Sequence, residues 1–518
     1  MEYIASSEVT WVLLAAAASL LFYCYMKLKS SLHYWQDRGI KCLKPLPVIG
    51  NLLPVMKFQK SLGEIYKEAY HKYPNERVVG VYEFFSPVLV IRDPQLIEKI
   101  FVKDFQHFTD RTQIVEDTGL FATGLFQMKG SPWRSIRHKI SPIFTSGKLK
   151  SIFNGMLDCT DEMMKLIEKK NVDKESGLRE ALGVYTMDVI ANTVFGIQIG
   201  DKKAKDEFSK NNSEIFNTTP SRFIEFLALL YSPKVASLIG VSFIPKKVEH
   251  YFRMLIRTTI DQREKGGFNR NDYTQMLLKL KQQGSIEVQS KDADDEYLDL
   301  NGAAPTENVE ISEDLLAGQA FQFLSAGFDP LLNSTIYILY DLSINPEIQD
   351  RCREHIKSVL EKHKGYTYES LKDMTYLEQC IQETLRFHAI TPFLFRECSK
   401  KYKLPEENLE IYKGQKVVIP LNAIHMDPKH YDKPEVYNPE RLPPNSLKSN
   451  YIYMPFGDGP RICIGLRYAL VVMKLAAAKL LANYKFTLSP KTKVPFEINK
   501  QSILLVPKEE LLFKVTKA

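Results

Sequence analysis

The chain has 518 residues, of which 44% are hydrophobic and 25% charged, and a formal net charge of +7 at pH 7. This ordinary composition allows a sizeable buried core. The mild positive charge comes without dense runs of lysine and arginine, which argues against a nucleic-acid binder and leaves a solvated basic surface or a docking face for an acidic partner. The seven cysteines form no CxxC pair, so they favour a reducing compartment and exclude an obvious zinc site.

The N-terminal segment from Val9 to Met26 is almost wholly apolar and about long enough to cross a bilayer. Acidic residues precede it and two lysines follow at once, so the positive-inside rule predicts a cytosolic body. A cleaved signal peptide needs a positively charged start, although the small residues Ala15 to Ser19 leave cleavage as an alternative. We expect a membrane anchor over residues 1–30, a basic, proline-containing hinge over 31–51 and one large domain over 52–518.

Two β-branched runs, Val78 to Tyr82 and Val88 to Arg92, predict strands near the start of this domain. A long helical region follows to about Leu280, and residues 281–310 form an acidic segment that predicts an exposed loop. The next predicted helix begins after Ser312, a good N-cap.

That helix ends at Asn345-Pro346, where proline gives a stop signal. The remaining predicted elements, in chain order, are helices near 347–363 and 369–389, short strands and irregular chain over 390–462, a final helix from Gly465 to Tyr484, and a β-rich tail. The predicted fold class is therefore α+β, mostly α-helical.

The segment from Phe456 to Gly465, with the sequence FGDGPRICIG, suits a cysteine that binds haem iron. Gly459 allows a tight turn with positive φ, and Gly465 lets the next helix approach a flat macrocycle. Cys463 stands at the N-terminus of that helix, where free N–H groups stabilise a thiolate. Arg461 is placed to reach a haem propionate, and Phe456 is placed to shield the sulfur.

This pattern resembles the cysteine signature of the cytochrome P450 family, and the resemblance extends over nearly the whole body. It implies the P450 fold, with a small β-rich subdomain and one N-terminal transmembrane helix. Glu383-Thr-Leu-Arg386 resembles the family's ExxR pair, and Arg441 in Pro439-Glu-Arg441 resembles the arginine that joins it. The resemblance implies that these three charges lock the core behind the cysteine loop.

Trp133 and Arg137 resemble the family's WxxxR helix, and at i and i+4 their side chains share one face. The resemblance implies that both bind haem propionates, together with Arg396. The anchor, the hinge and the acidic loop look most like those of insect microsomal members that act on foreign or lipophilic compounds.

The long helix departs from the family's pattern at one position. It reads Ala326-Gly327-Phe328-Asp329-Pro330, where the family has a threonine that relays protons during dioxygen activation. Ala326 and Gly327 leave room for dioxygen, Asp329 keeps the acid of the relay, and Pro330 has no hydroxyl. Ser334 and Thr335 lie one turn or more further on and are not expected to replace it.

The resemblance implies NADPH-dependent monooxygenation of a lipophilic small molecule by haem b and O2. The implied partners are NADPH–cytochrome P450 reductase, cytochrome b5 as a second candidate, and the endoplasmic reticulum membrane, with the catalytic domain in the cytosol and no nucleic acid. Arg134 and Lys139 are candidates for the reductase docking face. Pro330 keeps two alternatives open: an oxygen-independent haem-thiolate isomerase or dehydratase, and a non-catalytic haem or ligand-binding protein.

Candidate substrate contacts rest on position alone. The family has a distal loop and pocket turns where this chain places five apolar side chains, which also suit core packing: Phe108, Phe121, Phe126, Phe395 and Ile503. Together they predict an apolar ligand.

Overall fold

The structure is a computed structural model that describes most of the chain. The described residues are 11–16, 18–19, 22, 26, 28–112, 119–196, 202–215, 219–238, 240–266, 272–286, 309–405, 407–444 and 450–518.

Helices form most of the body, and short 3-10 and π turns connect several of them. In chain order the α-helices are α1 Leu53–Met56, α2 Leu62–Lys72, α3 Pro94–Glu98, α4 Gly130–Ile140, α5 Ser146–Lys170, α6 Arg179–Ile190, α7 Lys202–Ile215, α8 Pro220–Tyr231, α9 Pro233–Leu238, α10 Lys246–Gly266, α11 Tyr273–Gln283, α12 Glu313–Ile344, α13 Pro346–His363, α14 Tyr368–Asp373, α15 Thr375–Phe387, α16 Leu421–His425 and α17 Leu466–Asn483.

Within the described residues the strands form four small sheets, which confirms the α+β class. They are β1 Val78–Glu83, β2 Ser86–Ile91, β3 Glu175–Gly177, β4 Ser285–Ile286, β5 Val309–Glu310, β6 Leu394–Glu397, β7 Tyr402–Leu404, β8 Leu409–Ile411, β9 Lys416–Ile419, β10 Tyr484–Leu488 and β11 Leu512–Lys517. The largest sheet has the order β1-β2-β9-β6, in which only β2 and β9 are parallel; Val90 pairs with Val79 on one side and with Val418 on the other.

The long helix α12 is the centre of the main core and begins where the sequence predicts. The Ser312 hydroxyl accepts a hydrogen bond from the Leu315 N–H at 3.1 Å, and Glu313 and Asp314 occupy the first turn. Most α12 side chains are buried, and the helix packs against α6, α10, α15 and α17. A residue on α12 can therefore reach the interior of the domain, where α17 follows the cysteine loop.

Several predicted boundaries are wrong. The helix predicted near 369–389 is two helices, because Met374 leaves helical geometry with ψ of 63° between α14 and α15. The helical region predicted to Leu280 contains the strand β3, which pairs with the distant β11. The predicted loop at 281–310 has β4 and β5 at its ends, and its residues 287–308 lie outside the described residues.

The predicted anchor lies partly outside the described residues, which include only 11–16, 18–19, 22 and 26 of its apolar core. Among the residues that the structure describes, no helix is both long and apolar enough to cross a membrane. The hinge packs onto the body: Trp35 is fully buried, and its Nε1 donates to the Val81 carbonyl at 3.2 Å.

A buried polar cluster fastens helix α8 to the largest sheet. Glu83 on β1 is 2% exposed and accepts hydrogen bonds from Tyr66, from Tyr231 at the end of α8 at 2.9 Å, and from the Lys416 ammonium at 2.9 Å. This pairing satisfies the buried carboxylate and sets the position of α8, which also lines a small cavity described below.

Candidate haem site

The cysteine loop is held in shape by its glycine and its backbone. Gly459 has φ of +68°, and a Cβ at this position would stand 2.0 Å from the Phe101 carbonyl oxygen, so only glycine fits. The Cys463 N–H donates to the Phe456 carbonyl at 2.9 Å. A Cβ at Gly465 would meet only the Cys463 sulfur, at 4.0 Å, so no protein atom demands glycine there.

The Cys463 thiol lies deep within the domain and still has accessible surface. Burial raises the pKa of this thiol, whereas the Gly465 N–H and the positive charges of Arg137 and Arg111 lower it. These groups favour a thiolate once a cation removes the cost of burial. Cys463 is therefore a deeply placed cysteine that keeps accessible surface and is prepared to bind a metal ion.

Arginines from separate parts of the chain surround this thiol. Arg461 lies over the Trp133 ring at 4.1 Å and donates to the Met128 carbonyl at 2.7 Å. Arg396 on β6 is 2% exposed and lies over the Phe101 ring at 4.1 Å. The others are Arg111 and Arg137, both largely buried.

This arginine cluster carries more positive charge than the neighbouring protein balances. Burial and mutual repulsion lower the pKa values of Arg461 and Arg396, and the pKa of Arg111 falls to about 10. The only carboxylate paired with Arg461 among the described residues is Asp110, at 3.5 Å. The Arg396 Nε is buried without a hydrogen-bond partner among the described residues.

A buried guanidinium with an unused donor is costly unless an acceptor binds there. The two carboxylates of a haem would supply acceptors and negative charge, and Cys463 would supply a thiolate for its iron. The residues present therefore fit haem b.

The predicted charged trio forms behind the loop. Arg386 donates to both Glu383 oxygens at 2.9 Å, and Arg441 donates to the same carboxylate at 3.3 Å. Arg386 also donates to the His425 carbonyl at 2.6 Å, and the His425 Nε2 accepts from the Met454 N–H at 3.2 Å. The trio is thereby connected to the chain two residues before Phe456.

Most of the surface of helix α12 is covered by neighbouring elements, but one stripe, the open stripe, is accessible. Ala326 is exposed and Phe323, Gly327 and Pro330 are partly exposed, whereas Phe328 is buried. A Cβ at Gly327 would stand 3.0 Å from the Ile190 side chain, so α6 fixes this face of α12 at close range. Ala326, like Cys463, is accessible although it belongs to the interior.

Asp329 points away from this stripe. It is 8% exposed, and its carboxylate lies 3.5 Å from the Arg179 guanidinium, which also donates to Asn333 at 3.2 Å. Burial raises the pKa of Asp329 to about 6, against the smaller lowering effect of Arg179. All three residues line a cavity of about 260 Å³ that also touches Lys508 and Glu509. Asp329 can therefore exchange a proton near neutral pH.

Two residues with hydroxyl groups, Ser334 and Thr335, follow Pro330 on α12. Thr335 donates to the Leu331 carbonyl at 2.8 Å, so it does not stand in for the missing threonine. Ser334 is buried, at 4% exposed.

Four of the five candidate substrate side chains lie along one connected wall. Phe121 stacks on Phe243 at 4.2 Å and lies 6.4 Å from Phe126, which lies 6.3 Å from Phe395. Ile503 lines a cavity of about 60 Å³ with Phe243 and the α8 side chains. Phe108, by contrast, is fully buried in the core, where its ring contacts that of Tyr402 on β7, 5.1 Å away.

Sequence reasoning missed four residues of this site. Arg111 and Arg179 follow no local motif and are placed by tertiary packing. His425 carries a weak signal, a lone histidine in an apolar stretch, and Asn333 lies one turn after Asp329 on the same face.

The chain is similar to known proteins along most of its length. The family profile described as Cytochrome P450 matches residues 40–515. Cytochrome P450 6a2 of Drosophila melanogaster is 33% identical over 505 residues, which cover 95% of this chain and 96% of that protein. Cytochromes P450 6k1 and 9e2 of Blattella germanica are each 32% identical, over 95% and 96% of this chain and 94% and 96% of theirs.

Proposed function

Because the chain belongs to the cytochrome P450 family, whose members typically use haem, a cysteine thiolate and O2, we propose that it is a monooxygenase of lipophilic small molecules. Its electrons come from NADPH through NADPH–cytochrome P450 reductase, with cytochrome b5 as a second donor. The observation that carries this proposal is the accessible interior thiol of Cys463 beside buried arginines, one of which keeps an unused donor.

Haem b bound through Cys463 supplies the chemistry of dioxygen activation. The protein positions and tunes this group. Arg111, Arg137, Arg396 and Arg461 would neutralise and orient its carboxylates, and the Gly465 N–H would moderate the electron density on the sulfur. Asp329 holds a proton that it can release near neutral pH, and the cavity beside Arg179 gives it access to water.

The proposed location is the endoplasmic reticulum membrane, with a single N-terminal anchor and a cytosolic catalytic domain. Exposed apolar side chains support it: Leu46, Val48, Met56, Phe85 and Leu238. The Ser31 hydroxyl donates to the Phe85 carbonyl at 2.5 Å. The turn between β1 and β2, which contains Phe85, therefore lies beside the end of the anchor segment. Membrane sedimentation of the full chain, with the body still cleavable by added protease, is the expected result; a soluble or protected body would contradict it.

The function is tested by NADPH-dependent dioxygen uptake with a flavoprotein reductase, across a panel of lipophilic compounds. Wild type and Pro330→Thr are compared, and peroxide is measured alongside. Uptake with product and little peroxide supports a coupled monooxygenase, whereas uptake that ends mainly in peroxide indicates a poorly coupled one.

A second candidate is an oxygen-independent isomerase or dehydratase on the same scaffold. It is favoured by Pro330 together with the commitment of the Thr335 hydroxyl to Leu331. Absence of uptake in wild type that Pro330→Thr restores would support it over the monooxygenase. A ligand-dependent change in haem absorption with no turnover of any kind would instead indicate a binding protein.

A further inference from the structure

His425 is a buried histidine that lies between helix α15 and the chain that enters the cysteine loop. Its side chain is fully buried at the end of α16. Nδ1 lies 3.2 Å from the Arg386 carbonyl oxygen, and Nε2 lies 3.2 Å from the Met454 backbone nitrogen. A carbonyl can only accept and an amide N–H can only donate, so Nδ1 carries the ring proton and Nε2 accepts. Both ring nitrogens of one neutral tautomer are therefore in use.

The surroundings of His425 keep this ring neutral. Burial, together with the positive charge of Arg386, lowers its pKa to about 3. A second ring proton would place two donors against each other at Met454. The Nε2 acceptor is consequently available to Met454 throughout the neutral range of pH.

Helix α15 holds this chain at two consecutive residues. The Tyr453 hydroxyl donates to the Gln382 carbonyl at 2.9 Å, and the Tyr453 ring stacks on the His425 ring with centroids 5.5 Å apart. The next residue, Met454, is held through the imidazole. Arg386 also donates to the His425 carbonyl at 2.6 Å, so His425 is bound to α15 through both its backbone and its side chain.

The position of Met454 is passed to Cys463 through the backbone. The Met454 carbonyl accepts from the Gly457 N–H at 2.9 Å, and the Phe456 carbonyl accepts from the Cys463 N–H at 2.9 Å. Gly457 closes the first of these turns with φ of +76°. Met454 is 1% exposed, so water does not readily replace a lost partner of its N–H. A shift at Met454 therefore moves the residues that fix the Cys463 backbone.

We propose that His425 is a positioning residue for the Cys463 sulfur: its Nε2 holds the Met454 N–H, and this contact sets the place of the cysteine loop relative to α15. Without this acceptor the thiolate bond to haem iron is weaker, even though the charged trio remains paired. The inference rests on the proposed function, since it needs haem bound through Cys463, and it assigns a role to a residue outside the trio.

Two amide substitutions separate the roles of the two ring nitrogens. His425→Gln places an amide oxygen near the position of Nε2, so it keeps an acceptor for Met454 and loses the bond to Arg386. His425→Asn places an amide N–H near the position of Nδ1, so it keeps the bond to Arg386 and loses the acceptor. Both variants lose the stacking on Tyr453 and bury one uncharged amide, so their effects on overall stability should be alike.

The full chain is loaded with haem, reduced and exposed to carbon monoxide, and its absorption gives the ratio of thiolate-bound to thiol-bound haem. We expect His425→Gln to stay within about two-fold of wild type and His425→Asn to lower the ratio about five-fold to ten-fold, the equivalent of one uncharged hydrogen bond. Unfolding midpoints are measured alongside. Gln349→Leu, which removes a buried amide bonded to Leu342 and Phe486, is the control for a loss of stability alone.

Equal ratios in His425→Asn and His425→Gln, or an equally large fall in Gln349→Leu, would overturn the inference. If His425→Asn takes up no haem, His425→Gln decides: a wild-type ratio supports the role of the Nε2 acceptor, and a lowered ratio overturns it. The two proposals fail separately. Dioxygen uptake with equal ratios removes only the role of His425, whereas unequal ratios without dioxygen uptake keep this role and remove the monooxygenase.

Discussion

The carboxylate of Glu383 and the guanidinium of Arg386 meet in two parallel hydrogen bonds, Nε to Oε2 and Nη2 to Oε1, each 2.9 Å long, with neither side chain exposed. Both residues lie on α15, one turn apart. This bidentate pair uses the full donor fork of arginine, and the remaining donors reach the carbonyls of His425 and Pro434. The pair therefore ties α15 to the irregular chain that leads to the cysteine loop.

Removing one partner of this pair should prevent haem binding. Glu383→Ala leaves the Arg386 charge buried and unpaired, which typically costs about 3–5 kcal/mol of folding free energy. The expected result is a loss of the absorption of thiolate-bound haem and a lower unfolding midpoint. Glu369→Ala, which removes an exposed pair with Lys150, is the control and should retain haem. Normal haem content in Glu383→Ala would contradict the role given to the trio.

Arg396 should matter more for haem retention than for folding. Arg396→Met removes a buried charge whose Nε has no partner among the described residues, so the haem-free chain should be equally or more stable. Haem release to a scavenger apoprotein should become about ten-fold to a hundred-fold faster, as expected for one charged hydrogen bond. Arg351→Met, at an exposed pair with Glu440, is the control. Unchanged release would remove Arg396 from the site.

Asp329 should reduce stability at neutral pH. Its pKa is about 6 in the folded chain against 3.8 for the free group, so between these values the folded state holds more protons and stability falls as pH rises. Asp329→Asn should therefore stabilise the protein at pH 7.5 by about 1–2 kcal/mol, after the loss of the half-exposed Arg179 pair. The gain should vanish below about pH 4, and turnover should fall.

Chemical denaturation of the haem-loaded protein at several pH values measures this gain. Asp314→Asn, at an exposed position in the first turn of the same helix, is the control. A destabilised Asp329→Asn at pH 7.5 would show that the carboxylate is structural.

His425 should make the fold sensitive to acid. Burial, together with the positive charge of the neighbouring Arg386, lowers its pKa from 6.5 to about 3. Between these values the unfolded chain binds a proton that the folded chain excludes, so stability falls as pH drops below about 6.5. At pH 5 the loss is about 2 kcal/mol. His425→Gln should flatten this part of the pH profile, whereas the exposed His33→Gln should not; equal slopes would refute the assignment.

The basic side chains of α4 should bind the reductase. Charge reversal at Arg134 and Lys139 should weaken reductase affinity and reduce its dependence on salt concentration. Surface plasmon resonance at several ionic strengths measures both quantities, and haem content checks that the neighbouring Arg137 still functions. Unchanged affinity in the double variant would exclude this face.

Local patterns in the sequence predicted the elements that local chemistry determines. The β-branched run at Val78–Tyr82 predicted β1, and Ser312 marked the start of α12. The tight turn of the cysteine loop was predicted from Gly459, which has a φ of +68° in the structure.

What the sequence did not reveal depends on distant contacts. Arg111 has no motif around it, and its role follows only from its position near Arg137 and Cys463. β3 is a strand only because β11 pairs with it. The burial of Phe108 also depends on a distant contact, since its partner Tyr402 is almost three hundred positions away.

The origin of the arginine cluster bears on how this protein is made. Its members come from four stretches of chain, and the hydrogen bond from the Arg111 guanidinium to the Arg461 carbonyl spans 350 positions. A ribosome has synthesised nearly the whole polypeptide before Cys463 emerges. Haem bound through Cys463 and these arginines would therefore require nearly the whole chain to be made, and it would join early and late segments of the chain.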